Sequence, residues 1–217
     1  MNNQLIIEKT RKYIEDKLKN DASGHDYWHV YRVWRNAILI GKSESVDMFV
    51  VELAALLHDI ADWKLYNGDE EIGPKKAREW LESLKVGEKI ISQICDIIRD
   101  MSFKGAGVNS KISTKEGEVV QDADRLDAIG AIGIARTFAY GGSKGREMHN
   151  PNIKPEMHHS FEQYKKNTSS TINHFYEKLF LLKNLMNTET AKRIAEERHK
   201  FMELYVDRFL KEWNGEL

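Results

Sequence analysis

The chain lacks most features of disulfide-rich, membrane-spanning and polyanion-coating proteins. It has 217 residues but one cysteine, Cys95, which excludes an intramolecular disulfide framework and a zinc site of clustered cysteines. Lys and Arg total 33 against 34 Asp and Glu, and this balance disfavours general coating of nucleic acid. No apolar run reaches the length of a membrane span, and the first residues show no signal-peptide pattern. We therefore expect a cytoplasmic protein whose partners include neither a membrane nor a nucleic-acid polymer.

Proline is also scarce, and the glycines are concentrated in the middle of the chain. Only three prolines occur, and most of the 14 glycines lie between residues 105 and 145. Elsewhere apolar residues recur every three or four positions, which predicts one helix after another. Hydrophobic residues make up 41% of the chain, enough for a packed core, and we find no strand pattern, internal repeat or low-complexity segment. The sequence therefore predicts an all-α fold.

The apolar periodicity also predicts where the helices lie. The predicted helices cover residues 2–19, about 24–40 with Ser23 as the cap, 46–60, 74–84, 87–101 and 116–139. The segment 46–60, VDMFVVELAALLHDI, is strongly apolar and predicts a central buried helix. We expect the helix 116–139 to be interrupted or closely packed at Gly130 and Gly133.

The domain organisation follows from the length and from the glycine and proline pattern. We predict a single domain over residues 1–217, because this length suits one generous domain. Three glycines and two prolines mark a loop over 141–157, whose length is typical of a lid or binding loop. Beyond it, the pattern predicts two long helices over 158–215 that form an antiparallel hairpin around Asn187 and Thr188.

Two groups of polar residues lie in apolar surroundings. His58 and Asp59 follow one another at the end of the predicted central helix, where a carboxylate beside an imidazole is costly to bury without a compensating cation. Asp122, Asp124 and Asp127 lie within VVQDADRLDAIG, which is not an ordinary solvated face. A metal ion would compensate this charge.

Taken together, His29, His58, Asp59 and Asp124 offer two imidazoles and two carboxylates. Mixed nitrogen and oxygen sets suit Mn²⁺, Fe²⁺, Co²⁺ or Zn²⁺, and Mg²⁺ less well. Four protein ligands on an octahedral ion leave two positions open, which distinguishes a catalytic site from a closed structural one. An isolated His–Asp pair arises by chance, so the prediction depends on the combination. The remaining histidines are more simply explained as core or capping residues.

In this combination the chain resembles the HD-domain metal-dependent phosphohydrolases. Their pattern H…HD…D is matched by His29, then His58–Asp59, then Asp124, within GHDYWHVYRV, LAALLHDIADWK and VVQDADRLDAIGAIGIAR. The resemblance is closest to small stand-alone bacterial HD hydrolases of the YpgQ/YedJ kind, and by motif it covers about residues 20–140. It implies an HD-domain helical bundle that holds the metal between central helices, with these four residues as the ligands.

Neighbouring residues fit supporting catalytic roles. His25 lies four positions before His29, on the same helical face, and would touch a phosphate oxygen or a metal-bound water, or play a structural role. Asp62 would accept a proton from the nucleophilic water, with a turn carboxylate as the alternative. Lys64 would meet a phosphate, although a solvated lysine is the simpler interpretation.

Asp127 is a further catalytic candidate, and cationic loop residues are weaker candidates for binding substrate. Arg125 and Asp127 would either orient the ligand or close an internal ion pair, and we favour the pair for Arg125. Flexible cationic loops can neutralise phosphate charge on closure. The cations in question are Lys104, Lys111, Lys144 and Arg146.

Departures from related patterns narrow the function. No histidine occurs in residues 60–123, where binuclear relatives add ligands, and this favours a single metal ion. The Gly-Tyr-Pro signature of cyclic-dinucleotide relatives is also absent. The nucleotidase branch carries a glutamate a few residues after the HD pair, where this chain has Asp62, so removal of a 5′-phosphate is only the second choice.

The resemblance therefore implies a metal-dependent phosphohydrolase that acts on nucleotides through a metal-activated water. We expect a nucleoside triphosphate pyrophosphohydrolase; the alternatives are a 5′-nucleotidase-type phosphomonoesterase and a non-catalytic HD module that binds a nucleotide or a partner. The expected cofactor is one divalent ion, with Mn²⁺ as first choice and Mg²⁺, Co²⁺, Fe²⁺, Ni²⁺ and Zn²⁺ also compatible. The expected partner is a small phosphoester, and homodimer formation stays open.

Overall fold

The computed structural model describes residues 2–19, 26–61, 66, 69, 71–101, 112–156 and 169–217. Its elements in chain order are α1 (Asn3–Lys17), α2 (Tyr27–Gly41), α3 (Met48–Leu57), α4 (Ile72–Ser83), α5 (Glu88–Asp100), α6 (Lys115–Asp127), α7 (Gly130–Ser143), α8 (Asn173–Glu177), a 3₁₀ helix (Leu179–Leu185) and α9 (Glu189–Trp213). No strand occurs in the described residues, and the all-α prediction is confirmed. None of the helices in this part of the chain is long and apolar enough to cross a membrane.

The described residues fall into two compact units. The first is drawn from residues 1–103 and 110–124, and the second from residues 125–217. Helix α6 begins in the first unit, and its last three residues belong to the second.

Helix α3 forms the centre of the first unit, as predicted. Eight of its ten residues are buried, and it packs against α1, α2 and α5. Burial of each large apolar side chain contributes about 1.5–3 kcal/mol, so this helix contributes strongly to the stability of the unit. It is shorter than predicted. Asp47 caps its start by accepting a hydrogen bond from the Phe49 amide at 2.9 Å, and the helix ends at Leu57, which places His58 and Asp59 in the following turn.

Helix α2 begins at Tyr27, about three residues later than predicted. Asp26 is the N-cap, and its Oδ1 accepts a hydrogen bond from the backbone amide of His29 at 2.9 Å. An N-cap carboxylate satisfies an amide that has no helical partner and stabilises the helix by roughly 1 kcal/mol. The cap therefore fixes the backbone at His29, in the first turn of the helix.

A sharp corner between α6 and α7 confirms the interruption predicted at Gly130. This glycine has a φ of +75°, a left-handed conformation that glycine adopts without steric cost. A Cβ atom there would approach Cγ of Arg198 to 3.0 Å, and the Arg198 guanidinium donates a hydrogen bond to the Leu126 carbonyl oxygen. At Gly133 a Cβ would lie 2.3 Å from the Ala128 carbonyl oxygen, which confirms the close packing predicted there.

The chain closes with two antiparallel helical arms. Lys183 of the 3₁₀ helix pairs with Glu196 of α9 at 3.2 Å, and Phe180 packs edge-to-face on His199 at 5.1 Å between ring centroids. Because the earlier residue of one arm meets the later residue of the other, the arms run in opposite directions. The predicted hairpin is thus present in the described part of residues 158–215.

The first arm differs from the long helix that was predicted for it. Residues 169–172 are not helical, α8 has five residues, and a 3₁₀ helix follows. The backbone amides of Thr171 and Ile172 donate to the carbonyl oxygens of Glu147 and Met148, both at 2.9 Å. Hydrogen bonds to a distant segment therefore replace the local helical bonds that the apolar periodicity suggested.

The segment predicted as a loop or lid, 141–157, is partly helical. Helix α7 continues to Ser143, so the first two of its glycines lie in the last turn. Further along, the Ile153 carbonyl oxygen accepts a hydrogen bond from Asn173 at 2.8 Å, and the Glu156 amide donates to Glu177 at 3.1 Å. These bonds fasten the described part of the segment within the second unit, and movement as a lid would have to break them.

Candidate metal centre

Three polar side chains of the first unit converge on one point. His29 lies in the first turn of α2, and His58 and Asp59 follow the end of α3. The Nε2 atom of His29 is 3.3 Å from Nε2 of His58 and 3.3 Å from Oδ2 of Asp59. His58 Nε2 and Asp59 Oδ2 are 3.5 Å apart. These three residues can hold a metal ion, since their donor atoms all lie within 4.8 Å of one another.

Asp124, the fourth predicted ligand, lies beside this group. Its Oδ1 is 3.6 Å from Nε2 of His29, and it projects from the last turn of α6. It is not part of the tight cluster formed by the other three residues. The structure thus brings all four predicted ligands together, with Asp124 as the outermost.

The spacing of the donor atoms fits a divalent ion. Two ligand atoms each about 2.1 Å from an ion, at right angles to one another, are about 3.0 Å apart. The measured separations of 3.3 to 3.6 Å exceed this by a few tenths of an ångström. A small inward movement of the side chains would therefore give first-row metal distances.

A hydrogen bond fixes the tautomer of His58. Its Nδ1 lies 2.8 Å from the carbonyl oxygen of Ala55. Because a carbonyl oxygen only accepts, Nδ1 carries the proton in the neutral ring and Nε2 keeps its lone pair. That lone pair points at His29 and Asp59, as a metal ligand requires. Hydrogen bonding of the distal ring nitrogen is a recurring feature of metal-bound histidines.

Burial divides the site into an inner and an outer side. The side chains of His29 and His58 are 2% and 5% exposed, whereas those of Asp59 and Asp124 are 25% and 40% exposed. Two ionised carboxylates carry two negative charges, which one divalent cation would balance. The imidazoles therefore form the inner wall, and the carboxylate side is where water and a phosphate can reach the ion.

Several predicted site residues are not among those that the structure describes. This group consists of His25, Asp62, Lys64, Lys104 and Lys111. Their roles stay predictions.

Asp127 forms an internal ion pair, one of the two alternatives that the sequence offered for this residue. Its carboxylate is buried in the second unit and accepts a hydrogen bond from Arg136 at 2.6 Å. The same guanidinium lies 3.4 Å from the Asp127 carbonyl oxygen, at the end of α6. Arg125 donates to the carbonyl oxygen of Leu185. These contacts hold together the elements that follow Asp124 in the chain.

The two described loop cations lie around an aromatic ring in the second unit. The Lys144 ammonium is 5.6 Å and the Arg146 guanidinium 5.9 Å from the centroid of Tyr140, a side chain that is half exposed. Cation–π contacts at such exposed positions contribute about 0.5–1 kcal/mol. Binding of substrate by these cations stays a prediction.

The sequence did not reveal the groups that support the ligands. Asn36 donates a hydrogen bond from Nδ2 to the carbonyl oxygen of Ala123 at 3.3 Å, directly before Asp124. Asn36 follows His29 by seven positions and therefore lies two turns along the same face of α2. In the sequence, the only indication of this support was an amide side chain on the same helical face as His29. The Ala55 carbonyl offered none, because backbone groups are the same at every position.

Comparisons with known proteins agree with this geometry. The HD domain model matches residues 27–129, a range that contains all four predicted ligands. The chain is 39% identical over 209 residues to the uncharacterized protein YpgQ of Bacillus subtilis, and the alignment covers 96% of this chain and 94% of YpgQ.

Two solved structures extend the agreement to the fold. An HD-superfamily hydrolase of Bacillus thuringiensis superposes with a TM-score of 0.78 at 47% identity, covering 98% of this chain and 99% of the other. YpgQ of Bacillus subtilis in complex with ADP superposes with a TM-score of 0.74 at 37% identity, covering 95% and 96%. Motif, geometry and relatives lead to one conclusion: the chain belongs to the HD-domain family of metal-dependent phosphohydrolases.

Proposed function

We propose that this phosphohydrolase cleaves nucleoside triphosphates between the α- and β-phosphates. We assign His29, His58, Asp59 and Asp124 as ligands of a single divalent ion, with Mn²⁺ as first choice. The observation that supports this most directly is the convergence of two buried imidazoles and two accessible carboxylates within 3.3 to 3.6 Å of their neighbours.

Different groups around the site would hold the metal ion and orient its ligands. A bound divalent ion supplies a Lewis acid, which activates water and offsets charge on phosphate oxygens. The bond from His58 to the Ala55 carbonyl keeps one lone pair directed into the site. The cap that Asp26 provides holds the backbone at His29. The buried imidazoles thus fix the position of the ion, and the carboxylate side stays open to the phosphate.

The reaction itself requires a proton acceptor. One water adds to the α-phosphorus while the bond from that phosphorus to the bridging oxygen breaks, which gives a nucleoside monophosphate and pyrophosphate. We propose that Asp62 accepts the proton of this water. His25 and Lys64 are proposed to contact the phosphates.

Two observations support a nucleotide as the substrate. YpgQ of Bacillus subtilis is similar over nearly its whole length and has been solved in complex with ADP. In the present chain, Trp28 immediately precedes His29, and 60% of its surface is exposed. Ring contacts with Tyr27 at 5.2 Å and Tyr31 at 5.9 Å hold the indole in place. Aromatic rings stack with any base, so Trp28 is our candidate for contact with the nucleobase.

A hydrolysis screen tests the proposal. Metal-free protein would be loaded with Mn²⁺, Co²⁺ or Mg²⁺ and assayed with nucleoside tri-, di- and monophosphates, and the products would be identified. We expect pyrophosphate from triphosphates. Orthophosphate from monophosphates would instead support a 5′-nucleotidase. Metal binding without turnover of any phosphoester would support a binding module and contradict the proposal.

A further inference from the structure

Asn36 connects the two helices that present His29 and Asp124. It lies on α2, and its Nδ2 donates to the carbonyl oxygen of Ala123 on α6 at 3.3 Å. We infer that Asn36 is a positioning residue, which sets how closely the last turn of α6 approaches α2 and hence where Asp124 lies relative to His29. The inference rests on the proposed role of Asp124 as a metal ligand.

Asp124 is the ligand whose place depends most on helix packing. Its carboxylate is 40% exposed, lies 3.6 Å from His29 and does not belong to the tight three-residue cluster. His58 and Asp59, in contrast, are neighbours in one turn directly after the buried helix α3. A small outward movement of α6 would therefore withdraw Asp124 and leave the other three ligands in place.

The opposite end of α6 is attached to the first unit by similar bonds. The carboxylate of Glu116 accepts hydrogen bonds from the Gln93 side-chain amide at 3.1 Å and from the Asp47 backbone amide at 2.9 Å. Glu116 and Asp124 are eight positions apart, or about 12 Å along the helix. Gln93 thus also donates a side-chain amide hydrogen bond to α6, but to a carboxylate and at a site too distant to position Asp124.

This pair of amides provides an experiment with a matched control. Mn²⁺ would be titrated calorimetrically into metal-free Asn36→Ala, Asn36→Leu and Gln93→Ala, each first checked for wild-type circular dichroism. One hydrogen bond contributes about 1 kcal/mol, so we expect roughly three- to tenfold weaker Mn²⁺ binding in both Asn36 variants. We expect Gln93→Ala to bind Mn²⁺ within about twofold of wild type. Its free energy of unfolding should nevertheless fall by the contribution of one hydrogen bond, as in the Asn36 variants. Asn36→Leu retains most of the side-chain volume, so loss of the donor can be separated from loss of packing.

A double-mutant cycle then tests whether Asn36 acts through Asp124. Asp124→Asn alone should weaken Mn²⁺ binding, and adding Asn36→Ala to it should have little further effect. If Asp124→Asn binds Mn²⁺ as wild type does, the ligand assignment is wrong. If Asp124→Asn weakens binding but both Asn36 variants bind normally, or if the effect of Asn36→Ala persists in full beside Asp124→Asn, the inference is overturned. Loss of the fold in both Asn36 variants would also contradict a role confined to positioning.

Discussion

The two units of this protein differ in how several polar side chains are arranged. In the first unit, His29, His58 and Asp59 direct their donor atoms at one another across 3.3 to 3.5 Å, an arrangement that calls for a cation. In the second unit, Asp127 meets a guanidinium and Asn173 donates to a backbone carbonyl. Two imidazoles and a carboxylate that face one another at these distances suit a cation, so the first unit indicates a metal site. The two groups in the second unit show the usual arrangement, in which buried polar groups bond to other protein groups.

The largest expected effect tests the first unit. Asp59→Ala removes a ligand carboxylate, and we expect nucleotide hydrolysis to fall by about a thousandfold or more, since a catalytic metal contributes several kcal/mol. Stability measured in EDTA should change little, because Asp59 lies in the turn after α3 and its side chain is 25% exposed. Hydrolysis assays and urea unfolding would measure the two quantities. An active Asp59→Ala protein with normal Mn²⁺ affinity would contradict the assignment.

The matching test of the second unit is Arg136→Ala. It leaves the buried Asp127 carboxylate without this guanidinium, and we expect the free energy of unfolding to fall by about 2 kcal/mol. That is less than for a fully buried pair, because the Arg136 side chain is 30% exposed. Lys192→Ala is the control, since the exposed Lys192–Glu189 pair should contribute under about 0.5 kcal/mol. Urea unfolding measures both. If Arg136→Ala lowered Mn²⁺ affinity and left stability intact, the contrast between the units would be wrong.

A smaller effect is expected from Trp28→Ala. Loss of a stacking surface should raise KM for nucleoside triphosphates by about tenfold and change kcat little. Trp28→Phe should retain most of the affinity. Inorganic tripolyphosphate has no base, so its KM should be the same for all three proteins. Equal increases in KM for tripolyphosphate and for nucleotides would show that Trp28 does not contact the base.

The smallest expected effect concerns the buried thiol of Cys95, which should react slowly in the folded protein. Burial raises the pKa of its thiol, and its Sγ donates to the Pro74 carbonyl oxygen at 3.3 Å. The native protein should therefore react slowly with a disulfide reagent at neutral pH, and the unfolded protein should react at once. Because unfolding returns the pKa to its ordinary value of about 8.5, this thiol should cost stability as the pH rises above that value. Unfolding of wild type and Cys95→Ala between neutral and alkaline pH would show a steeper loss for wild type.

The sequence predicts the first unit better than the second, for physical reasons. His29, His58, Asp59 and Asp124 form an ordered pattern, and the apolar run before His58 sets α3 without help from distant residues. The first arm of the C-terminal hairpin was predicted as one long helix. Its start is non-helical because amides at 171 and 172 bond to carbonyls at 147 and 148, and periodicity contains no information about such partners.

Local sequence patterns likewise could not predict contacts between residues that are distant in the chain. Asn36 and Ala123 are 87 positions apart, and the amide side chain of Asn36 does not indicate which group it bonds to. Asp127 and Arg136 are only nine positions apart, but the chain turns between them at Gly130, so their pairing depends on the corner and not on helical spacing. The apolar surroundings of Asp127 therefore indicated that its carboxylate is buried, but they could not predict which partner it would find.

The unequal exposure of the four ligands has a consequence for how the enzyme acquires its metal. The imidazoles lie beside the buried helix α3, and of the four ligand side chains the two carboxylates are the more exposed to the surrounding solution. Loading and stripping of the ion would then take place through the carboxylate side, with chelators competing directly at Asp124. The metal content of a purified sample would accordingly report the buffer in which it was last equilibrated, and its resident ion in the cell would follow local supply.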